Sequence, residues 1–448
     1  MSRRLREMTL SQPTSGLTLL AAVVVALAVI AYFGFVAHFG VNVPFKDEWS
    51  SVALYRELVH GRLSLGSLWA QHNENRILFP NLLMLVLDHV SRVNTQTEMY
   101  FSAVLLLLAL ATTGYLFVRT THCSLIWFLP SALVLLSWIQ YAVALQGFAI
   151  ALYLLLACLP LSLLALDGSR RHSGLFTLAV ALAVVASYSS AQGLAIWVAG
   201  LVFLVASGQS RIRCWVWVAC GGVTSLVYLV QFQWSAAGGG TGWTLRHPVA
   251  ALHFLSLLLG GVLPTSHQVG IGIGVQTGVG AALFLLAVGA VVLWIWRRPT
   301  GAWLALPLAL ISFGIVIDVM ITAGRAHTVE QSGATSSRYV MFNLWLLGGI
   351  WLACASWLVH ASGRRIRSLV VVVAALCLLQ VALSYHSGLV EGRGTHQLRV
   401  RAAALVVHHR TAPRVEVVRL VDPDYADFLR LAAFLEQHRL SVFAARSS

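Results

Sequence analysis

Two short segments hold most of the side chains in this chain that could do chemistry. Phe45-Lys46-Asp47-Glu48-Trp49 sets two carboxylates side by side, and His72-Asn73-Glu74-Asn75-Arg76 follows with a mixed set of acids, bases and amides. Adjacent carboxylates suit proton transfer, one acting as general base while its neighbour orients or tunes it. Asp47 and Glu48 are therefore the candidate catalytic residues, and His72, Glu74 and Arg76 candidate substrate-binding residues. A third group, from Gly324 to Tyr339, supplies Arg325, His327 and Arg338 beside the hydroxyls of Ser336, Ser337 and Tyr339. The planar fork of arginine suits bidentate binding of a phosphate, so Arg325, Arg338 and Tyr339 join the binding set.

Simpler uses compete with each assignment. Asp47 and Glu48 could only cap a helix, whose positive end favours acids. The segment from His72 to Arg76 could be a solvated turn, and interfacial arginines often snorkel. His72 and Glu74 could join Asp47 and Glu48 around a divalent metal, but the spacing is not specific for one, and no cofactor is assigned. Asp318 lies seven residues before Arg325, two turns along one helix face, and is expected to pair with it.

The rest of the chain makes these clusters informative. Of 16 Asp and Glu residues, six lie between positions 47 and 98 and six after position 390. Only Asp167, Asp318 and Glu330 fall in the long stretch between. Acids are spent sparingly because the medium is lipid: 448 residues are 58% hydrophobic and 10% charged, with mean hydropathy +0.80. That balance excludes a soluble domain and calls for membrane-spanning helices. The net charge of +14 sits in short clusters between apolar runs, as in membrane-protein loops, not on one nucleic-acid-binding face. The six cysteines fall within apolar runs or at their ends, so no disulfide framework is expected.

Arginine positions predict a topology. Arg170-Arg171, Arg211 with Arg213, Arg297-Arg298, and Arg364-Arg365 with Arg367 belong on the cytoplasmic side with the N-terminal Arg3-Arg4. The apolar segments 77–87 and 250–262 are too short to span and are expected to lie in the outer interface. Eleven spans remain, near 17–39, 97–118, 124–141, 147–166, 173–190, 193–207, 214–233, 271–296, 301–323, 338–359 and 366–387. The expected fold is an all-α polytopic membrane protein of about eleven transmembrane helices, with the N-terminus cytoplasmic and the C-terminus outside. Residues 1–388 form the membrane domain, with 40–96 as its first outer loop, and 389–448 a small outer-face tail. In that tail 395–409 reads as a helix, 415–420 as a short strand and 425–437 as an amphipathic helix.

The first span, then KDEW, then HNENRILFP, then a span opening near TEMYFSAVLLL, resembles the GT-C-type glycosyltransferases, membrane enzymes that use lipid-linked sugar donors. The likeness is strongest over residues 41–100, and YSSAQGLAIW and SSRYVMFNLW are similar to segments of a bacterial branch. The resemblance implies a carboxylate at Asp47 acting as base or acceptor-positioning group, and basic residues holding the donor phosphate. It also implies transfer from a polyprenyl-phosphate sugar to an envelope glycan, lipid or protein at the outer face of a bacterial inner membrane. Two departures stand out. The first outer loop carries no Asp-x-Asp, which argues against a metal-dependent diphosphate donor, and His-Asn-Glu-Asn-Arg stands where related branches carry a Lys-Pro-Pro type element. A transporter or lipid-linked-sugar flippase is the competing class, and would show broken helices and ionisable groups near the midplane. An O-antigen polymerase or ligase would place its large outer loop later.

Overall fold

Apolar runs become helices here because only internal hydrogen bonding satisfies a backbone in hydrocarbon. The computed structural model describes residues 15–233, 240–264, 271–297, 302–327, 334–361 and 364–447. In chain order the first elements are α1 (Ser15–Phe39), α2 (Glu48–Val59), α3 (Leu65–Trp69), β1 (Gln71–His72), β2 (Asn75–Arg76), α4 (Leu78–Ser91) and α5 (Thr95–Thr121). Next come α6 (Leu129–Leu135), α7 (Tyr141–Ala144), α8 (Ile150–Gly168), α9 (Gly174–Ser187), α10 (Ala195–Ala206) and α11 (Arg211–Leu229). They are followed by α12 (Gly240–Arg246), α13 (Pro248–Leu259), α14 (Ile273–Arg297), α15 (Ala305–Arg325) and α16 (Ser337–Ala361). The chain closes with α17 (Arg364–Val407), α18 (Arg414–Leu420) and α19 (Tyr425–Gln437). The two strands pair antiparallel, Gln71 opposite Arg76 and His72 opposite Asn75.

Among the described residues, nine helical stretches are long and apolar enough to cross a membrane, against the eleven expected. The difference lies in α9 and α10, which are apolar but shorter than a full span. They form a hairpin whose two bases are tied by Arg170 donating to the Ser207 carbonyl. At its tip the Ala191 amide donates to Asn75 Oδ1 at 2.9 Å. A hairpin that goes and returns leaves the parity of every later helix unchanged. The expected interfacial segment 250–262 is the second arm of a broken pair, Gly240–Arg246 and Pro248–Val262, bent by 111°. Residues 234–239, 265–270 and 328–333 lie outside the described residues, the last of these within the segment from Gly324 to Tyr339.

The tail departs from expectation in two ways. α17 runs unbroken for 44 residues through the expected boundary at 388. Gly392 does not end it, because it serves close packing instead: a Cβ there would stand 2.9 Å from Phe35 and 3.0 Å from Phe39 of α1. Residues 414–420 are helical, not a strand. Val417 and Val421, one turn apart, are both buried, whereas an isolated strand would find no edge to pair with.

Two cores result. The larger fills the bundle. The smaller joins the loop 40–96 to the tail: Val43, Trp49, Val52, Leu85 and Val93 pack with Ala402, Val406, Val417, Phe428 and Leu431. Trp49 and Val52 of α2 are buried in that core, with Trp49 edge-on to Phe428 at 5.5 Å. The tail is thus a lid on the loop that carries the candidate site.

Candidate functional site

The turn before α2 is shaped by its backbone. Lys46 adopts φ 54, a left-handed conformation uncommon for a residue with a side chain, and its amide donates to the Val421 carbonyl at 2.8 Å. This bend separates the two acids that the sequence places side by side. Glu48 turns inward and is 0% exposed, whereas the side chain of Asp47 remains 48% exposed. Asp47 makes no capping hydrogen bond to α2, so helix capping does not account for it.

Glu48 is held on all sides. Its Oε1 accepts from the Gly147 amide at 2.7 Å and its Oε2 from the Phe45 amide at 2.8 Å. Arg399 of α17, itself 3% exposed, brings Nη1 to 3.4 Å of Oε2 and stacks its guanidinium over the Phe45 ring at 5.0 Å. Burial pushes the Glu48 carboxyl up, and Arg399 with the two amides opposes that push. With its oxygens so occupied, Glu48 positions the turn and leaves Asp47 as the acid that faces solvent.

Asp47 has its own partner. His72 Nε2 stands 3.7 Å from Oδ1, an ion-pair distance too long for a hydrogen bond. The adjacent His72 ring, with Arg338 and Lys46 further off, holds the Asp47 carboxyl below the usual carboxylate range. The β1–β2 hairpin presents His72, its turn made by Asn73 at φ 51, and Phe148 packs against the imidazole at 4.9 Å. Arg338 is exposed in the first turn of α16, over the Tyr339 ring at 4.9 Å, while the Tyr339 side chain is buried beneath it. The Ser337 hydroxyl donates to the Ile139 carbonyl at 2.6 Å, which fixes the start of α16.

The remaining candidates divide. Glu74 Oε2 pairs with Arg325 Nη2 at 2.8 Å, both about half exposed, so these two lie at the same site. Arg325 therefore does not pair with Asp318 as expected; Asp318 is buried and its carboxylate has no hydrogen-bond partner among the described residues. Arg76 is buried, with Nε donating to the Tyr228 carbonyl at 2.9 Å, Nη1 to that of Trp69 at 3.0 Å and Nη2 to that of Val230. A guanidinium engaged at all three nitrogens anchors the hairpin to the end of α11 and has no fork left for a phosphate. No group of three or more His, Cys, Asp or Glu among the described residues could hold a metal ion.

Behind this layer the fold gathers acids that no local pattern groups. Asp88 of α4 and Glu98 of α5 contact each other, and both are within electrostatic range of Glu48. Gly147 has room for no side chain, because a Cβ would collide with Glu98 Oε2. Burial, reinforced by the Glu48 charge, pushes Asp88 up to about 7. A carboxyl whose folded pKa is raised contributes stability that is complete below about pH 4 and lost as pH rises through about 7. Thermal unfolding should therefore move to lower temperature between pH 5 and pH 8, and Asp88→Asn should flatten that dependence. An unchanged slope in the variant would assign the pH dependence elsewhere.

Arg399, Gly147 and Phe148 were not singled out by sequence. Arg399 is one of several basic residues in the tail, and nothing local distinguishes it from Arg393 or Arg401. No protein-family model, curated protein or solved structure matches the chain.

Proposed function

We propose that this membrane protein is a glycosyltransferase of the GT-C type, moving a sugar from a polyprenyl-phosphate donor to a hydroxyl acceptor at the outer membrane face. The observation that carries the reading is Asp47: a half-exposed, ionised carboxylate beside His72 and within electrostatic range of Arg338. An acid and a cation so placed match the two demands of glycosyl transfer, a proton acceptor and a stabiliser of departing phosphate.

In the proposed step the acceptor oxygen attacks the anomeric carbon and the new carbon–oxygen bond forms as the bond to phosphate breaks. The bonding pair leaves with the polyprenyl phosphate, and the acceptor proton passes to Asp47. Attack opposite the leaving group inverts the anomeric centre. Arg338 faces the developing phosphate charge, aided by the N-terminus of the 25-residue α16. Glu74, two residues after His72, and its partner Arg325 are assigned to sugar or phosphate contacts.

The assignment of faces is part of the proposal. Cysteines placed at Gly66 and Gln437 should react with an impermeant reagent in intact cells, while one at Ser173, beside the arginine turn, should not; all three positions are exposed. The reverse pattern would put the site in the cytoplasm and remove the lipid-linked donor from consideration.

Arg338 supplies the sharper test, read as turnover of a polyprenyl-phosphate sugar by purified protein. Lysine keeps the charge and loses the fork, so Arg338→Lys should retain part of the activity. Arg338→Ala should lower turnover as well as donor affinity, because the charge it meets develops in the transition state. Equal rates for arginine, lysine and alanine would remove Arg338 from the site.

A further inference from the structure

The bundle interior holds a second set of polar groups that transfer chemistry at Asp47 does not use. Asp318 lies within α15 at 0% exposure, and neither of its carboxylate oxygens has a hydrogen-bond partner among the described residues. One turn earlier Gly314 packs on Leu346 of α16, and Gly349 of α16 packs on Leu310 and Ile311. That antiparallel register puts Asp318 on the α16-facing side of α15, level with the turn that carries Phe342 and Asn343. Thr322 follows one turn along the same face, and its hydroxyl is also buried without a hydrogen-bond partner among the described residues.

Two amides complete the set. Asn343 Nδ2 donates to the Leu258 carbonyl at 2.6 Å, and Gln276 Nε2 of α14 donates to the Leu263 carbonyl at 2.5 Å. Both acceptor carbonyls belong to the far end of the broken α12–α13 pair or the residue after it. Each amide nitrogen is thereby used, and each amide oxygen is buried with no hydrogen-bond partner among the described residues. A Cβ on Gly261 would stand 3.5 Å from Val340 and 3.9 Å from Asn343 Nδ2, so this end of the broken pair lies directly against α16. Asp318 Oδ1 and Oδ2, Thr322 Oγ1, Asn343 Oδ1 and Gln276 Oε1 are all oxygens, and with the carboxyl ionised only the threonine has a proton to give.

Buried polar groups need partners, most of all inside a bilayer. A set made of acceptors lacks positive charge, and one carboxylate calls for a single unit of it. All-oxygen donors favour a hard ion. Interrupted helices beside an intramembrane acid supply the carbonyls and acids by which membrane proteins hold such ions. We propose that Asp318, Thr322 and Asn343, beside the broken end of α12–α13, form a binding site for a small monovalent cation of the sodium class. The ion braces α15, α16 and the broken pair, and its binding does not depend on the transfer reading.

The test is thermal unfolding of the purified full chain in detergent, comparing sodium chloride with choline chloride at fixed ionic strength and pH. A ligand bound only by the folded state raises Tm in a saturable way, and here the rise should be on the order of 2 °C or more. Asp318→Asn should abolish the sodium response, and Thr322→Val should move its midpoint to at least about tenfold higher sodium, the cost of roughly one lost ligand contact. Thr322→Val alone decides the matter if the aspartate variant does not fold. No sodium response in the unaltered protein, a response to pH only, or an unchanged response in Thr322→Val would overturn the proposal.

Discussion

Asp47→Asn protein should insert, fold and bind lipid as the parent does, and turn over about 100- to 10,000-fold more slowly, the usual cost of losing a general base. Asparagine keeps the shape of aspartate and cannot accept the proton. The side chain is half exposed and makes no capping bond to α2, so little stability rests on it. Because the neighbouring His72 ring holds the Asp47 carboxyl below the usual range, the acid is ionised throughout the neutral range. Turnover of the parent should therefore show no loss of this base as pH falls from 8 to 5. Single-turnover rates with a polyprenyl-phosphate sugar measure the effect directly. Near-parental rates for Asp47→Asn would reject Asp47 as base, and Glu48 offers no substitute, since its carboxylate is sealed from solvent.

The largest stability effect should come from Arg399→Met. Methionine replaces the length of the side chain but leaves Glu48 as a buried acid without its cation. Breaking one side of a buried pair typically costs about 3–5 kcal/mol, because the remaining charge is uncompensated. Part of that cost should return in the double variant Glu48→Gln with Arg399→Met, which removes the charge as well as its partner. The single variant should also loosen the turn carrying Asp47, since Arg399 covers Phe45 and Phe45 donates to Glu48. Calorimetric or fluorescence melts of the parent, both single variants and the double variant give the coupling. A melt of Arg399→Met indistinguishable from that of the parent would show that the tail does not hold the site together.

The tail helps to build the candidate site. Its helices bury Trp49 and Val52, its Val421 carbonyl fixes Lys46, and its Arg399 reaches the acid next to Asp47. A truncation near residue 388 would remove one wall of the candidate site and cut α17 in its middle.

Local sequence is enough to set the solvent of this protein and most of its helices. Hydropathy and arginine spacing locate the long spans, because each is a local property of about 20 consecutive residues. It also marked Asp47 and His72, whose proximity follows from one loop closing on itself. Tertiary structure alone decided which acid of the Asp47-Glu48 pair faces solvent, since that depends on Gly147 and Arg399, about 100 and 350 residues away. It likewise assigned Arg76 to carbonyls of α3 and the end of α11, and gave Arg325 to Glu74 instead of Asp318. Charge and side-chain type announce that a residue needs a partner, but which partner it finds is set by packing between helices distant in sequence, where no local pattern records the answer. The same holds for α17, where Gly392 becomes a contact point only once Phe35 and Phe39 of α1 lie against it, and Gly388 only once Trp138 does.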